Sequence, residues 1–184
     1  PAYLRVYDAP GLGEDVSLDQ QYMDMYEAVL PECDVALWII PASTRALALD
    51  QQYINTLSRF SNKFVFALSQ CDLVDPVGWN SNKNMPSDAQ QSNLTEIVAD
   101  RQHRISRVLG RQIIMTAYSS EHYYRLMQVF EAIIEADPKN RKWMFDAIRS
   151  FDASNWIQGV DSMPDEEKKR LIEKAQNQSL SNNE

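Results

Sequence analysis

Three short polar stretches follow apolar runs in this chain and carry residue types that could do chemistry. The first is Asp8-Ala9-Pro10-Gly11. An aspartate that closes a buried strand and meets a Pro-Gly turn is placed to hold a metal-bound water, while the loop behind it senses a phosphate. The plain alternative is a turn former. The second is Ser69-Gln70-Cys71-Asp72. A carboxylate at that point can accept two hydrogen bonds from the edge of a guanine, which offers a ring N–H and an exocyclic amine. Adenine offers no such pair, and an acceptor left unpaired is costly, so the pairing discriminates between bases. Its plain alternative is a loop or helix cap. The third is Thr116-Ala117-Tyr118-Ser119-Ser120. A small residue there lets a backbone N–H approach a base oxygen; alternatively Ser119 or Ser120 caps a helix running from Glu121.

The apolar runs that would position these stretches are Tyr3–Tyr7, Val35–Ile40, Phe64–Leu68 and Gln112–Thr116. Each is short and nearly continuous, the pattern of strands buried on both faces. Helical spacing of apolar residues predicts helices over Leu18–Leu30, Leu49–Phe60, Asn93–Leu109 and Glu121–Ile134. Strands alternating with helices of three or more turns imply βαβ units, hence an α/β three-layer sandwich whose four strands are mostly parallel. In such sheets ligands sit beyond the carboxyl ends of the strands, where all three polar stretches lie. Asp75–Ser92 reads as a long loop, either a solvated excursion pinned by Trp79 or the rim of a ligand site. Beyond Pro138 the pattern changes: Lys142–Phe151 is amphipathic, and Pro164–Asn177 opens with acidic and continues with basic residues, as a helix dipole favours. The expected organisation is a domain over residues 1–138 and a helical extension over 139–184 whose last six residues fray.

The formal net charge of −8 over 184 residues argues against attachment to nucleic acid by bulk charge. A basic stripe of Arg101, Arg104, Arg107 and Arg111 is equally well explained as a solvated helix face. His103 and His122 lack ligand-spaced partners, which weakens any metal-hydrolase reading. No apolar run approaches 18 residues, so no membrane-spanning helix is expected, and no signal segment opens the chain. Cys33 and Cys71 read as reduced thiols of a cytoplasmic protein. The chain starts at Pro1 and runs directly into a strand-like segment, a hint that something precedes it.

Taken together, the order and spacing of the three polar stretches resemble the third, fourth and fifth motifs of the small P-loop GTPases. Asp8 and Gly11 match Asp-x-x-Gly, Ser69–Asp72 matches Asn-Lys-x-Asp loosely, and Thr116 with Ala117 matches Ser-Ala-x. The phrase Cys33–Ile40, then Arg45-Ala46-Leu47, Asp50, Asp75-Pro76 and Trp79-Asn80, is similar to the Era-related group, in particular its YfjP/YeeP branch of bacterial predicted GTPases. The resemblance covers Tyr3–Pro138. It implies that Asp8 contacts Mg²⁺ through water, that Gly11 reports the γ-phosphate, that Asp72 fixes guanine with Gln70 flanking it, and that Thr116 and Ala117 form the loop donating to the guanine oxygen. The cofactors so implied are GTP or GDP with Mg²⁺. Leu12 stands where some GTPases carry a water-positioning glutamine. Ser69 replaces the usual asparagine and Gln70 the usual lysine.

No Gly-x-x-x-x-Gly-Lys-Ser/Thr occurs anywhere, so the phosphate-cradling nest, its lysine and the direct Mg²⁺ ligand are missing from this chain. The family order of strands is two, three, one, four, five, six. Tyr3–Tyr7 corresponds to strand three and Val35–Ile40 to strand four, with the strand between them missing, so four of six strands are expected and two edges are left open. Either Tyr3–Tyr7 pairs directly with Val35–Ile40, or another polypeptide, such as a second copy in a homodimer, covers the edges. Both outcomes predict protected amides over Leu4–Val6. The leading expectation is therefore a truncated member of a GTP-binding family that holds guanine nucleotide weakly or not at all and does not hydrolyse GTP. The alternative is a catalytically inactive α/β interaction module. A ribosome or RNA partner is neither implied nor excluded.

Overall fold

Phe64–Leu68 are five consecutive apolar residues and all five are buried. Because successive side chains of a strand point to opposite faces, this pattern requires cover on both faces of the sheet. The computed structural model describes residues 5–12, 17–44, 47–80, 84–139 and 165–180. In it Phe64–Ser69 is β2, the centre of a parallel sheet between β1 (Ala36–Pro41) and β5 (Met115–Ala117). The register sets Trp38 beside Phe66 and Leu68 beside Ala117.

Helices connect these strands. They are α1 (Asp19–Val29), α2 (Ala48–Thr56), α3 (Asp88–Leu109), α4 (Leu126–Ala136) and α5 (Asp165–Leu180). A two-residue antiparallel ladder, β3 (Trp79–Asn80) with β4 (Met85–Pro86), stands apart from the main sheet. Ile40, Ile54, Leu57, Leu68, Leu94 and Ile105 form the driest part of the core. Each such side chain contributes about 1.5–3 kcal/mol relative to exposure. Polar groups close the seams. The Lys63 ammonium donates to the carbonyls of Leu30 (2.8 Å), Pro31 (3.0 Å) and Cys33 (2.7 Å), tying the end of α1 to the start of β2. Tyr53 on α2 donates its hydroxyl to the carboxylate of Asp19 on α1, both buried.

Several expectations need correction. Arg5–Tyr7, the described part of the expected strand Tyr3–Tyr7, is not in a strand, and Val6 is 77% exposed. It does not pair with β1, so among the described residues the main sheet has three strands rather than four. The physical reason is local: the Tyr26 hydroxyl donates to the Pro10 carbonyl at 2.8 Å, tethering the segment to α1 instead of the sheet. Tyr3 and Leu4 lie outside the described residues.

Helix α3 starts five residues earlier than its apolar spacing implies, because Ser87 caps it by accepting from the Gln90 N–H (3.3 Å). Helix α4 starts five residues later than Glu121. Ser119 and Tyr124 instead exchange both backbone hydrogen bonds, closing residues 119–124 into a loop. Neither Ser119 nor Ser120 therefore caps that helix. Lys142–Phe151 lies outside the described residues, as do 181–184. Leu171 of α5 is buried.

Candidate functional site

Parallel pairing of β2 with β5 brings their carboxyl ends side by side. The Tyr118 N–H donates to the Leu68 carbonyl (2.8 Å), extending the ladder one residue past β5. Gln70 then takes the left-handed conformation at φ 57°, which turns the chain out of the strand. That turn aims the Cys71 N–H at the Tyr118 carbonyl, 3.2 Å away. The loop Gln70–Asp72 and the loop Thr116–Ser119 are thereby knotted together by backbone alone.

The knot is reinforced from below. Cys71 is fully buried. Burial pushes its thiol up to about 12, with the neighbouring Asp72 charge acting in the same direction and Arg125 against it. Gln90 of α3 is also fully buried; its side-chain amide donates to the carbonyls of Asp72 (2.7 Å) and Val74 (2.9 Å). Asn93 adds a third such bond, to the Asp75 carbonyl at 2.8 Å. With the backbone of residues 72–75 held this way, the Asp72 carboxylate stays half-buried and makes no hydrogen bond or ion pair among the described residues. A half-buried acceptor with no donor among the described residues suits a ligand that brings its own donors.

A second assembly walls the site. Trp79 stacks on His122 with ring centroids 4.1 Å apart and meets Tyr124 edge-on at 5.4 Å. Its indole N–H donates to Asn84 Oδ1 (3.1 Å), and Asn84 Nδ2 donates to the His122 carbonyl (2.6 Å). Ser119 Oγ accepts from the His122 N–H (3.1 Å). The β3–β4 hairpin is thus bolted to loop 119–124. Within the hairpin, Gly78 lets its two arms close up: the Ser87 N–H donates to the Gly78 carbonyl at 2.7 Å, and a Cβ on Gly78 would stand 2.8 Å from Ser87 Oγ.

Of the residues singled out from sequence, Gln70, Asp72, Thr116 and Ala117 are brought together at one end of the sheet. Thr116 pairs with Ala67 and Ala117 with Leu68. Asp8 and Gly11 are not part of that cluster. They lie exposed on the segment tethered by Tyr26, and the Asp8 charge acts with burial to push the Tyr26 hydroxyl up. Among the described residues no group of three or more His, Cys, Asp and Glu side chains comes together as a ready-made metal cage. Gln90, Asn84 and His122 were not recognisable as site residues. A buried amide on a helix has no sequence signature, whereas Trp79 was visible as the lone aromatic of a polar loop.

The molecule is thus a small, mostly parallel sheet packed with helices, an α/β sandwich of Rossmann-like kind with a polar cluster at the strand carboxyl ends. Its relatives are bacterial. The chain is 33% identical over 95 residues to the uncharacterized proteins YfjP and YkfA of Escherichia coli K12, a match covering 50% of this chain and 32% of each relative. It is 34% identical over 73 residues to the putative uncharacterized protein YeeP of the same organism, covering 39% of this chain and 31% of the relative. The matched part spans about a third of the length of these relatives. No family model and no solved structure matches.

Proposed function

We propose that this chain carries the base-reading side of a guanine-nucleotide-binding domain of the P-loop NTPase type. The observation that supports it most is the Asp72 carboxylate, without a partner among the described residues and held beside the Ala117–Ser119 loop by the Cys71-to-Tyr118 hydrogen bond. In this reading Asp72 accepts from the ring N–H and exocyclic amine of guanine, the Ala117 N–H donates to the base oxygen, Thr116 leads into that loop and Gln70 flanks the ring. The convergence of two loops at adjacent strand ends is the place where doubly wound sheets bind ligands. Nucleotide supplies its own phosphate charge, but this chain has no lysine-bearing phosphate loop to meet it. Affinity therefore rests on the base and is weak, and GTP turnover is not expected. Asp8 and Gly11 belong to the phosphate end only by resemblance, and no step is derived through Mg²⁺.

Substituting Asp72→Asn tests the reading. An amide keeps one acceptor but replaces the other with a donor. Guanosine should bind at least about tenfold more weakly, because its exocyclic amine then faces an N–H. Xanthosine, which carries a carbonyl at that position, should gain. Unchanged guanosine binding by the variant contradicts the assignment.

The second reading, an interaction module, is favoured by a different observation: the β1 side chains of Leu37 and Ile39 stand exposed on a strand that, among the described residues, is paired on one side.

A further inference from the structure

From Arg101 to Gln112 the chain carries four arginines, one histidine and no acidic residue. The fold separates these arginines into two kinds. The outer two are committed to backbone: Arg101, buried, donates to the Thr44 carbonyl, and Arg111 donates to the Ser61 carbonyl at 2.6 Å. The inner two, Arg104 and Arg107, are exposed and open into a groove between α3 and α2. His103 and Val108 of α3 line it with them, Gln51 of α2 forms the opposite wall, and the cavity measures about 530 Å³. Small-molecule sites usually enclose roughly 300–1,000 Å³.

Among the described residues Asp100 is the one carboxylate lining this groove, and both of its oxygens are taken. Oδ1 accepts from Arg104 Nε at 2.8 Å and Oδ2 from an Arg101 guanidinium nitrogen at 3.1 Å. The Arg104 bond, against an opposing effect of burial, holds the Asp100 carboxyl below the usual range. Because Asp100 grips Arg104 by Nε, the two terminal nitrogens of that guanidinium make no hydrogen bond among the described residues. Arg107 makes neither a hydrogen bond nor an ion pair among them. Residues three apart on a helix are surface neighbours, and like charges at that spacing repel. An anion seated between Arg104 and Arg107 relieves that repulsion.

We propose that the groove between α2 and α3 binds a phosphate group, as a small phosphate monoester or as the free ion, with Arg104 and Arg107 as the residues that hold it. The donor set selects phosphate over carboxylate. A carboxylate presents two oxygens in one plane and satisfies a single guanidinium fork. A phosphate monoester presents three acceptor oxygens and meets two forks and an amide at once. The two forks are those of Arg104 and Arg107, and Gln51 on the opposite wall offers the amide. Val108 supplies apolar surface for the carbon portion of an ester. The site is separate from the Asp72 loop: Arg104 stands about 20 Å along α3 from Gln90, at roughly 1.5 Å per residue. It does not depend on the nucleotide reading.

Arginine side-chain NMR on the intact chain, titrated with inorganic phosphate and with phenyl phosphate in about 0.15 M chloride, tests the proposal. The expected result is a saturable shift of the Arg104 and Arg107 Nε–H signals, with binding at least about tenfold weaker in Arg107→Gln. Arg104→Gln repeats the comparison if the first variant loses its far-ultraviolet circular dichroism. Lys169→Gln, which removes an exposed charge on α5 away from the groove, should bind as the wild type does. The tighter of the two ligands identifies the occupant as a monoester or as the free ion. Absence of a saturable shift at both arginines with both ligands overturns the proposal. So does equal weakening by Lys169→Gln, which would mean bulk charge rather than a site. Acetate binding as tightly as phosphate overturns it too, as does a short single-stranded oligonucleotide that engages the same arginines more tightly than either phosphate.

Discussion

The side-chain amide of Gln90 donates to the main-chain carbonyl of Asp72 at 2.7 Å, from a fully buried position on the first turn of α3. That bond joins the helix to the loop whose carboxylate the functional reading depends on. Gln90 Nε2 also serves Val74, whereas its Oε1 is buried without a partner. Keeping an orphaned acceptor costs about 1–3 kcal/mol, so the two donated bonds must offset that cost.

Gln90→Leu should therefore have a mixed effect. It removes the orphaned oxygen but strands the Asp72 and Val74 carbonyls, for a net loss on the order of 1–3 kcal/mol. Gln90→Glu should be worse, since it loses the donors and brings a carboxylate against two carbonyls in a dry site. Urea unfolding of the three proteins checks the order. A glutamate variant as stable as wild type would show that Gln90 does not hold the loop in solution.

The hairpin wall makes a second stability prediction. Asn84→Ala removes the acceptor for the Trp79 indole and the donor to the His122 carbonyl, both in a nearly dry setting. It should cost on the order of 1–3 kcal/mol. His122→Ala removes mainly the ring stacking on Trp79 and should cost less, about 0.5–1.5 kcal/mol. Thermal melts, with tryptophan emission as the local reporter, separate the two. Equal and negligible effects would mean the hairpin is not bolted to loop 119–124.

Alkaline pH should weaken the fold in a defined window. Burial, with the Asp72 charge second, raises the Cys71 thiol from 9.0 to about 12. The Tyr53 hydroxyl rises from 10.0 to about 12, first through its hydrogen bond to Asp19 and then through burial. Both groups are held protonated in the fold more firmly than in the unfolded chain. Their contribution is thus complete below pH 9 for Cys71 and below pH 10 for Tyr53, and it is lost as pH climbs toward 12. Urea midpoints measured from neutral to alkaline pH should fall across that window, and Cys71→Ala with Tyr53→Phe should flatten the decline. In the native chain Cys33, which is half-exposed, should react with a thiol reagent before Cys71. Faster labelling of Cys71 would contradict the buried knot.

How far the sequence foretold this arrangement depends on how local each signal is. Val35–Ile40 and Phe64–Leu68 were recognisable as strands because a continuous apolar run is a local pattern, and both landed within a residue of β1 and β2. Gln112–Thr116 was placed three residues early, since β5 is only three residues long and the pairing with β2, not the local pattern, fixes its ends. Tyr3–Tyr7 has an equally strand-like composition, yet Arg5–Tyr7 is exposed and lies in no strand. A strand needs a partner as well as a pattern, and nothing in the run itself records whether the partner is there. At the site, Asp72 and Ala117 were legible from their positions after apolar runs. Gln90 was not, because its role comes from the tertiary approach of α3 to a loop eighteen residues earlier.

In the proposed function, Asp72 and the Ala117 loop read a guanine edge. Its most direct test is a nucleoside series followed by two-dimensional amide NMR on the intact chain: guanosine, inosine without the exocyclic amine, and adenosine with neither donor of the pair. Guanosine should give saturable shifts at Cys71, Asp72, Ala117 and Tyr118, inosine should bind about tenfold more weakly, and adenosine more weakly still. Shifts of equal size and affinity with adenosine and guanosine, or no shift at those four amides with guanosine at solubility-limited concentration, would contradict it.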